Sequence, residues 1–256
     1  MKFKTTPYHH DLLKDKERLS VFYQAIKEYG FNNNNIAYDL GCGCGVLSYF
    51  LSFYFKEIFS IEFDKNAFLC AKNNLKSFDN VKVINSNVLD FNFEKKADLI
   101  VCEMLDTALI DEEEVPVLNY AKKFLKKGGK IIPQSIYNTA ELVNLQRPYI
   151  HWDENSNYQS FSEPVLYSQI NFLEDINPKV KVNLKFKSNK TGIVNGLKIT
   201  TFTKLNENII VGPLPMLNPP LLIPLEKCHV NINDIINVEL KYIMGEGIES
   251  IENKYL

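Results

Sequence analysis

A strong charge of either sign is missing from this chain. Lys and Arg number 29 against 31 Asp and Glu, a formal net charge of −2. That balance argues against a dedicated polyanion binder and leaves room only for a local basic patch. The five cysteines follow no zinc-ligand spacing and form no even-numbered framework. Neither a metal site nor a disulfide scaffold is expected, and a reducing cytoplasm is the compartment this implies. The opening residues Met1-Lys2-Phe3-Lys4 lead into polar sequence without an apolar signal segment. The aromatic-rich run 46–55 is far too short to cross a bilayer and reads as a buried helix. What remains is a composition 45% hydrophobic and 23% charged, enough for a real core, in a length that suits one large domain or two modest ones.

Another absence defines the most informative stretch, Ala37-Tyr38-Asp39-Leu40-Gly41-Cys42-Gly43-Cys44-Gly45. An apolar strand enters a turn with glycine at every second position, and an amphipathic segment follows. Such a turn brings backbone amides close to a ligand. The dinucleotide fingerprint G-x-G-x-x-G is incomplete, because Val46 stands at its third position and Gly45 comes one place early. Asp39 lies two residues before the turn, where a carboxylate would repel a pyrophosphate. It suits a ligand with a positive amino group and no phosphate, and S-adenosylmethionine is that kind of ligand. About twenty residues on, Ile58-Phe59-Ser60-Ile61-Glu62 supplies an acid at a strand end, placed to hold ribose hydroxyls. The competing reading is a glycine turn of some other α/β protein with Glu62 merely solvated.

The pattern along the chain predicts a helix over 11–29 ended by Gly30, a polar loop over 32–35, and strands over 36–40, 57–63, 81–84, 99–102 and 130–132. Helices over 46–55, 66–77 and 115–126 alternate with them. That alternation implies βαβ units and a Rossmann-like parallel sheet. After Pro133 helical periodicity stops. Val180, Val182, Leu184 and Phe186 alternate with polar residues, and 197–203, 209–211 and 236–244 read as further strands. Prolines cluster at 213, 215, 219, 220 and 224. The expected organisation is a ligand-binding α/β domain with an N-terminal helix over 1–133 and a small β-barrel-like or sandwich domain over 134–256.

In an open α/β sheet the ligand crevice lies at the carboxyl ends of the strands. Glu103, closing the strand Ile100-Val101-Cys102, therefore faces the same edge as Asp39 and Glu62. Glu112 follows within Asp111-Glu112-Glu113-Glu114. Two carboxylates on one loop could grip a guanidinium bidentately and leave one nitrogen toward a methyl donor. Acidic residues before a helix also complement its dipole, which is the plainer reading of Glu112. Asn87 and Val88, with Asp90, follow the third strand where an adenine would lie.

These residues resemble a class I S-adenosylmethionine-dependent methyltransferase, and most closely the protein arginine methyltransferase branch. Asp39 through Gly45 is similar to that family's donor-binding turn. Leu13-Lys14-Asp15 followed by Arg18 resembles its N-terminal motif, and the resemblance implies that Arg18 pairs with the donor's carboxylate. It also implies a ribose role for Glu62, an acceptor role for Glu103 and Glu112, and a proline hinge at Ile132-Pro133 before a β-barrel. The likeness covers roughly the first 135 residues and is faint beyond them. Pro7-Tyr8-His9-His10 replaces the family's aromatic N-terminal motif. Met216-Leu217-Asn218-Pro219-Pro220 stands where its Thr-His-Trp loop would be. Asn218-Pro219-Pro220 itself reads as a proline-rich loop rather than an amino-methylation motif, and His151-Trp152 as a packed aromatic beside a hydrogen-bonded histidine. The implied function is methyl transfer to a nitrogen of a macromolecule, protein or RNA; a non-catalytic binding module is the third reading. The lysines of 180–187 either meet phosphates or guard an edge strand. With 11 basic and 13 acidic residues from 134 onward, edge protection is favoured.

Overall fold

The computed structural model describes residues 3–29, 35–153, 158–214 and 216–256. Met1-Lys2, Gly30, positions 32–34 of the expected loop and Pro215 lie outside the described residues. The N-terminal apolar pattern forms two helices, α1 (Pro7–Leu12) and α2 (Lys16–Tyr29), where one continuous helix over 11–29 is expected. The break has a local cause: the Asp15 carboxylate accepts the Arg18 backbone N–H at 2.9 Å, and a short acidic side chain in that position starts a new helix.

The strand β1 (Ile36–Leu40) is buried at every position after Ile36, as befits a strand covered on both faces. The glycine turn leads into α3 (Val46–Leu51), which stops four residues before the expected Phe55. Next come β2 (Glu57–Glu62), α4 (Lys65–Asn74), β3 (Val81–Asn85), β4 (Ala97–Cys102), α5 (Glu114–Ala121) and β5 (Leu125–Ile132). The five strands form one sheet in the order β3-β2-β1-β4-β5, every neighbouring pair parallel. The strand order reverses between β1 and β4, which is where such sheets open a ligand crevice.

After the cis Ile132–Pro133 bond the chain is antiparallel. It forms β6 (Ser135–Leu145), β7 (His151–Trp152), β8 (Tyr158–Ser160), β9 (Val165–Asn171), β10 (Lys179–Lys187), β11 (Gly192–Lys204), β12 (Ile210–Val211), β13 (Leu221–Val230), β14 (Ile235–Ile243) and β15 (Glu252–Tyr255). A seven-stranded sheet is built around β11, which pairs with both β6 and β13. A smaller sheet runs β10-β14-β15. The expected strands over 180–187 and 197–203 fall within β10 and β11, and those over 209–211 and 236–244 each run one residue past β12 or β14; β6, β9 and β13 carry no alternation that would have marked them.

One contiguous apolar core runs from Phe22 and Tyr38 through Ile132 and Ile136 to Leu197 and Tyr242. Burial of that surface, about 25 cal/mol per Å², binds the parallel sheet to the antiparallel region. Two polar ties add to it: Gln134 Nε2 donates to the Tyr29 hydroxyl at 2.6 Å, and Asn206 Nδ2 donates to Glu28 Oε2 at 2.7 Å. Among the described residues no helix is long and apolar enough to cross a membrane.

Candidate functional site

A cavity of about 1000 Å³ opens at the carboxyl edge of the parallel sheet. Its floor is the glycine turn. Gly41 and Gly43 sit at φ +68° and +54°, left-handed values that cost a side-chain-bearing residue about 1–2 kcal/mol. Space is also lacking: a Cβ on Gly41 would come 2.9 Å from Met104 Sδ, and one on Gly43 would come 2.5 Å from His9 Nε2. The turn is thus clamped between the loop after β4 and helix α1. The third glycine, Gly45, serves packing. It lies outside the cavity lining, and a Cβ there would meet Leu75 and Ala71, on the α4 side.

Glu62, the last residue of β2, lines the cavity. Its Oε2 accepts the Gly43 N–H at 2.8 Å and its Oε1 accepts the Asp64 N–H at 2.7 Å. Burial raises its pKa, and those N–H donors pull it back. Each oxygen keeps a second lone pair for a ligand hydroxyl. Asn87 and Val88 line the same side; Asn87 Oδ1 accepts the Leu89 N–H at 2.8 Å.

Asp39 is not where the sequence suggests. It is 1% exposed and absent from the cavity lining. Its Oδ2 accepts the hydroxyl of Ser48, on α3, because the β1 pleat turns this position toward the covering helix. Burial pushes its carboxyl up to about 7, against the pull of the Ser48 hydrogen bonds.

Arg18 and Glu103 both line the cavity, and they pair with each other. Arg18 Nε donates to Glu103 Oε1 at 3.1 Å and Nη2 donates to Oε2; Nη1 donates to the Leu12 carbonyl at 3.3 Å. The guanidinium is 3% exposed, and burial lowers its pKa to about 10. Of its five N–H donors two remain, and they suffice for a ligand carboxylate. Glu112 lines the cavity from the loop after β4. Burial raises its pKa, with Asp111 and Glu113 adding to the rise.

That loop is unusual. Ala108 and Leu109 both have positive φ, 61° and 57°, a strained pair that persists only where the surroundings over-determine it. Asp106 Oδ2 accepts the N–H groups of Ile110 at 3.2 Å and Asp111 at 3.0 Å. From the antiparallel region, Thr201 Oγ1 accepts the Ala108 N–H at 2.8 Å. Thr107 Oγ1 donates to the Pro219 carbonyl at 2.6 Å. The N–H of Gly245 donates to the carbonyls of Leu109 and Ile110, and that of Gly247 to Ile110.

Sequence reasoning did not find His9, Met104 or Met216 in the lining. His9 comes over the turn only because α1 and α2 separate at Asp15. Its Nδ1 hydrogen-bonds Thr6 Oγ1 at 2.7 Å, and burial lowers its pKa. Asn218 points away from the cavity. Its Oδ1 accepts the Leu214 N–H and its Nδ2 donates to the Thr201 carbonyl, both at 2.8 Å, so the proline loop is architecture. His151 Nδ1 hydrogen-bonds the Tyr149 carbonyl at 2.8 Å, and Trp152 packs on the core.

A family model for a methyltransferase domain matches residues 32–190. An uncharacterized protein of Methanothermobacter thermautotrophicus is 42% identical over 252 residues, 98% of each chain. A probable protein arginine N-methyltransferase 6.1 of Oryza sativa is 32% identical over 132 residues, 49% of this chain and 34% of that one, so about half of the present chain matches about a third of that relative. Among solved structures, the Trypanosoma brucei PRMT1 enzyme–prozyme heterotetrameric complex with AdoHcy superposes with a TM-score of 0.82 over 98% of both chains. At 12% identity that likeness shows the shared fold, parallel sheet and β-barrel alike.

Proposed function

The chain belongs to the methyltransferase family and takes its methyl group from S-adenosylmethionine, and we propose that it delivers that group to a cationic nitrogen side chain of a protein, arginine foremost. The observation that carries this reading is the charge of the cavity. Glu62, Asp64, Glu103, Glu112 and Glu113 line it, and the single Arg or Lys among its lining residues, Arg18, is already held by Glu103. Such a mouth repels a phosphate backbone and draws in a cation.

The residues fit the donor. The two spare N–H groups of Arg18 suit its α-carboxylate, and the spare lone pairs of Glu62 suit a ribose diol. Gly41 and Gly43 keep the floor free of side chains, and Asn87 with Val88 borders the adenine end. Asp39 supports the turn from behind through Ser48. Bound there, the donor supplies an electrophilic methyl on a sulfonium sulfur. Glu103 and Glu112 would accept the N–H groups of the incoming side chain and hold one nitrogen toward the donor, and their negative charge would ease departure of the N–H proton that methylation displaces, so their contribution is orientation and charge neutralisation. The ion pair with Arg18 fixes the Glu103 carboxylate before either substrate arrives.

Purified protein with radiolabelled S-adenosylmethionine and host lysate, split between protease and nuclease, tests this. Label released by protease, and lost with Glu103→Gln while donor binding persists, is the expected result. Label released by nuclease makes the acceptor RNA. Donor binding without label on any fraction makes the chain a binding module.

A further inference from the structure

The small sheet of β10, β14 and β15 turns a mainly basic face outward, in a chain whose net charge is −2. Lys179, Lys181, Lys185 and Lys187 share the exposed positions of β10 with Asn183. Val180, Val182, Leu184 and Phe186 alternate with them and pack on the core. The register sets Lys181 directly opposite Lys241 of the central strand β14, and Glu239 opposite Lys254 of β15. Six lysines thus share the face with two acids, Glu239 and Glu252. Glu239 is divided among three of them: its Oε2 lies 3.3 Å from Lys181 Nζ, and its Oε1 lies 3.2 and 3.6 Å from Nζ of Lys241 and Lys254. Among the described residues no carboxylate pairs with Lys179, Lys185 or Lys187. Protection of an edge strand explains lysines on β10. It does not explain Lys241 on the middle strand, and like charges directly opposite each other destabilise a sheet. The face keeps a positive field at a cost to its own fold.

Its position ties it to the cavity. At the end of β14 the Met244 N–H donates to the Pro178 carbonyl at 2.9 Å, one residue before Lys179. The next residue, Gly245, lies against the acceptor-facing loop: a Cβ on it would come 3.5 Å from the Glu112 carbonyl oxygen. Around this turn the surface is acidic. A Cβ on Gly247 would meet Glu249 Oε2 at 2.9 Å and Asp111 Oδ1 at 3.6 Å, and Glu246 is exposed. The sign of the surface therefore changes from negative at the Glu112 loop to positive along β10. From Lys179 to Lys187 the basic row continues for about 27 Å, at about 3.4 Å per residue.

We propose that this face docks an acidic segment of the acceptor protein, an extended stretch of about eight residues rich in Glu or Asp, while the cationic target side chain enters the cavity. Opposite charges at the two places fix the partner's polarity and its direction. A nucleic acid fits less well. The outward positions of the three strands carry no aromatic side chain on which a base could stack, and the acidic turn would face its phosphates. The coupling to methyl transfer rests on the acceptor reading above; the affinity of the face for an acidic peptide does not.

The test uses the full chain with two fluorescein-labelled probes, octaglutamate and octauridylate, followed by anisotropy at two salt concentrations. Two methylation substrates accompany them: one arginine, a spacer of four serines and eight glutamates, and the same peptide with eight glutamines. We expect octaglutamate to bind, less tightly at high salt, and the glutamate peptide to have a KM about ten-fold below its glutamine counterpart at similar kcat. In the double variant Lys185→Glu, Lys187→Glu the octaglutamate affinity should fall about ten-fold and the KM ratio should close toward one. The pair Lys185→Gln, Lys187→Gln should give a smaller loss of the same kind, and serves should charge reversal disturb the fold. Lys96→Glu with Lys127→Glu, near the amino ends of β4 and β5 and away from the cavity, changes net charge equally and should leave the ratio as it is. Octaglutamate that does not bind, or that binds the Lys185 and Lys187 variants equally well, overturns the proposal. So does a ratio that follows net charge alone. Octauridylate binding more tightly than octaglutamate makes this a nucleic-acid surface and overturns it too. If octaglutamate binds through Lys185 and Lys187 while neither peptide is methylated, the acceptor reading fails and the acidic docking face stands.

Discussion

Buried polar groups behave differently in the two regions of this molecule. In the antiparallel region they are spent on one another. Lys198 donates to Glu141, which also accepts from Ser160; Thr201 Oγ1 donates to Asn138; Asn218 is satisfied at both ends. Asn138 Nδ2 is the one buried side-chain nitrogen or oxygen without a partner there among the described residues. At the carboxyl edge of the parallel sheet the polar groups are held in reserve. Glu62 and Arg18 are half used, Glu112 faces a cavity, and Asp106 and Glu114 carry orphaned oxygens. Satisfied groups specify a fold; unsatisfied ones in a cavity wall mark where a ligand or a proton is to be supplied. Substitution should therefore cost activity on one side and stability on the other.

The largest effect expected is on activity. Glu103→Gln keeps the size of the side chain and loses the charge, so methyl transfer should fall by about 100-fold or more. Donor affinity, measured by calorimetry, should hold within a few-fold. An unimpaired rate would remove Glu103 from the acceptor site. The counterpart across the boundary is Lys198→Ala, which leaves the 9%-exposed Glu141 carboxylate without its cation. A loss of about 3 kcal/mol in chemical denaturation is expected, with donor affinity unchanged; altered donor binding would break the contrast.

Gly43→Ala tests the floor of the cavity. Left-handed φ costs about 1–2 kcal/mol, and the clash with His9 should displace α1, so donor affinity should drop about ten-fold. Adding His9→Ala should recover the steric part and leave the backbone part.

The pH dependence of stability separates the regions again. Asp39 and Asp106 are raised from 3.8 to about 7, so the folded state binds protons that the unfolded chain has released. Their contribution is complete below about pH 4 and is lost as pH rises through 7, a change of a few kcal/mol at most. The carboxyls with lowered pKa on the surface, such as Glu207 and Asp175, have the opposite sign but are solvent-screened pairs of small weight. The melting temperature should therefore decline from pH 5 to pH 8, and Asp39→Asn should flatten the decline. A flat profile for the unsubstituted protein would mean these carboxyls are ionised throughout. The smallest effect expected is Met216→Ala. This side chain lines the cavity and is 40% exposed, so the KM for acceptor should change only a few-fold, with the turnover rate intact.

Local chemistry was legible in the sequence, and distant pairing was not. Ile36 to Leu40, the glycines and Glu62 announce the donor edge because a turn and its strand are short-range matters. The separation of α1 from α2 is hidden because the apolar spacing continues through it, and only the Asp15 side chain interrupts it. β6 is buried on both faces and so lacks alternation; β13 holds Pro224 among apolar neighbours. The Arg18–Glu103 pair joins residues 85 positions apart, which no periodicity encodes. Glu114 looked like one more acid at a helix start, and only its burial reveals that it points inward.

The loop after β4 is held by Thr201, Pro219, Gly245 and Gly247 as much as by its own sheet. The two halves are therefore not interchangeable parts. A chimera that grafted another β region behind Pro133 could keep the donor floor intact and still lose its acceptor specificity, unless the graft restored those four anchoring points. On the acceptor role proposed for Glu112, substrate choice is set across the junction, and a drift in either half obliges the other to follow.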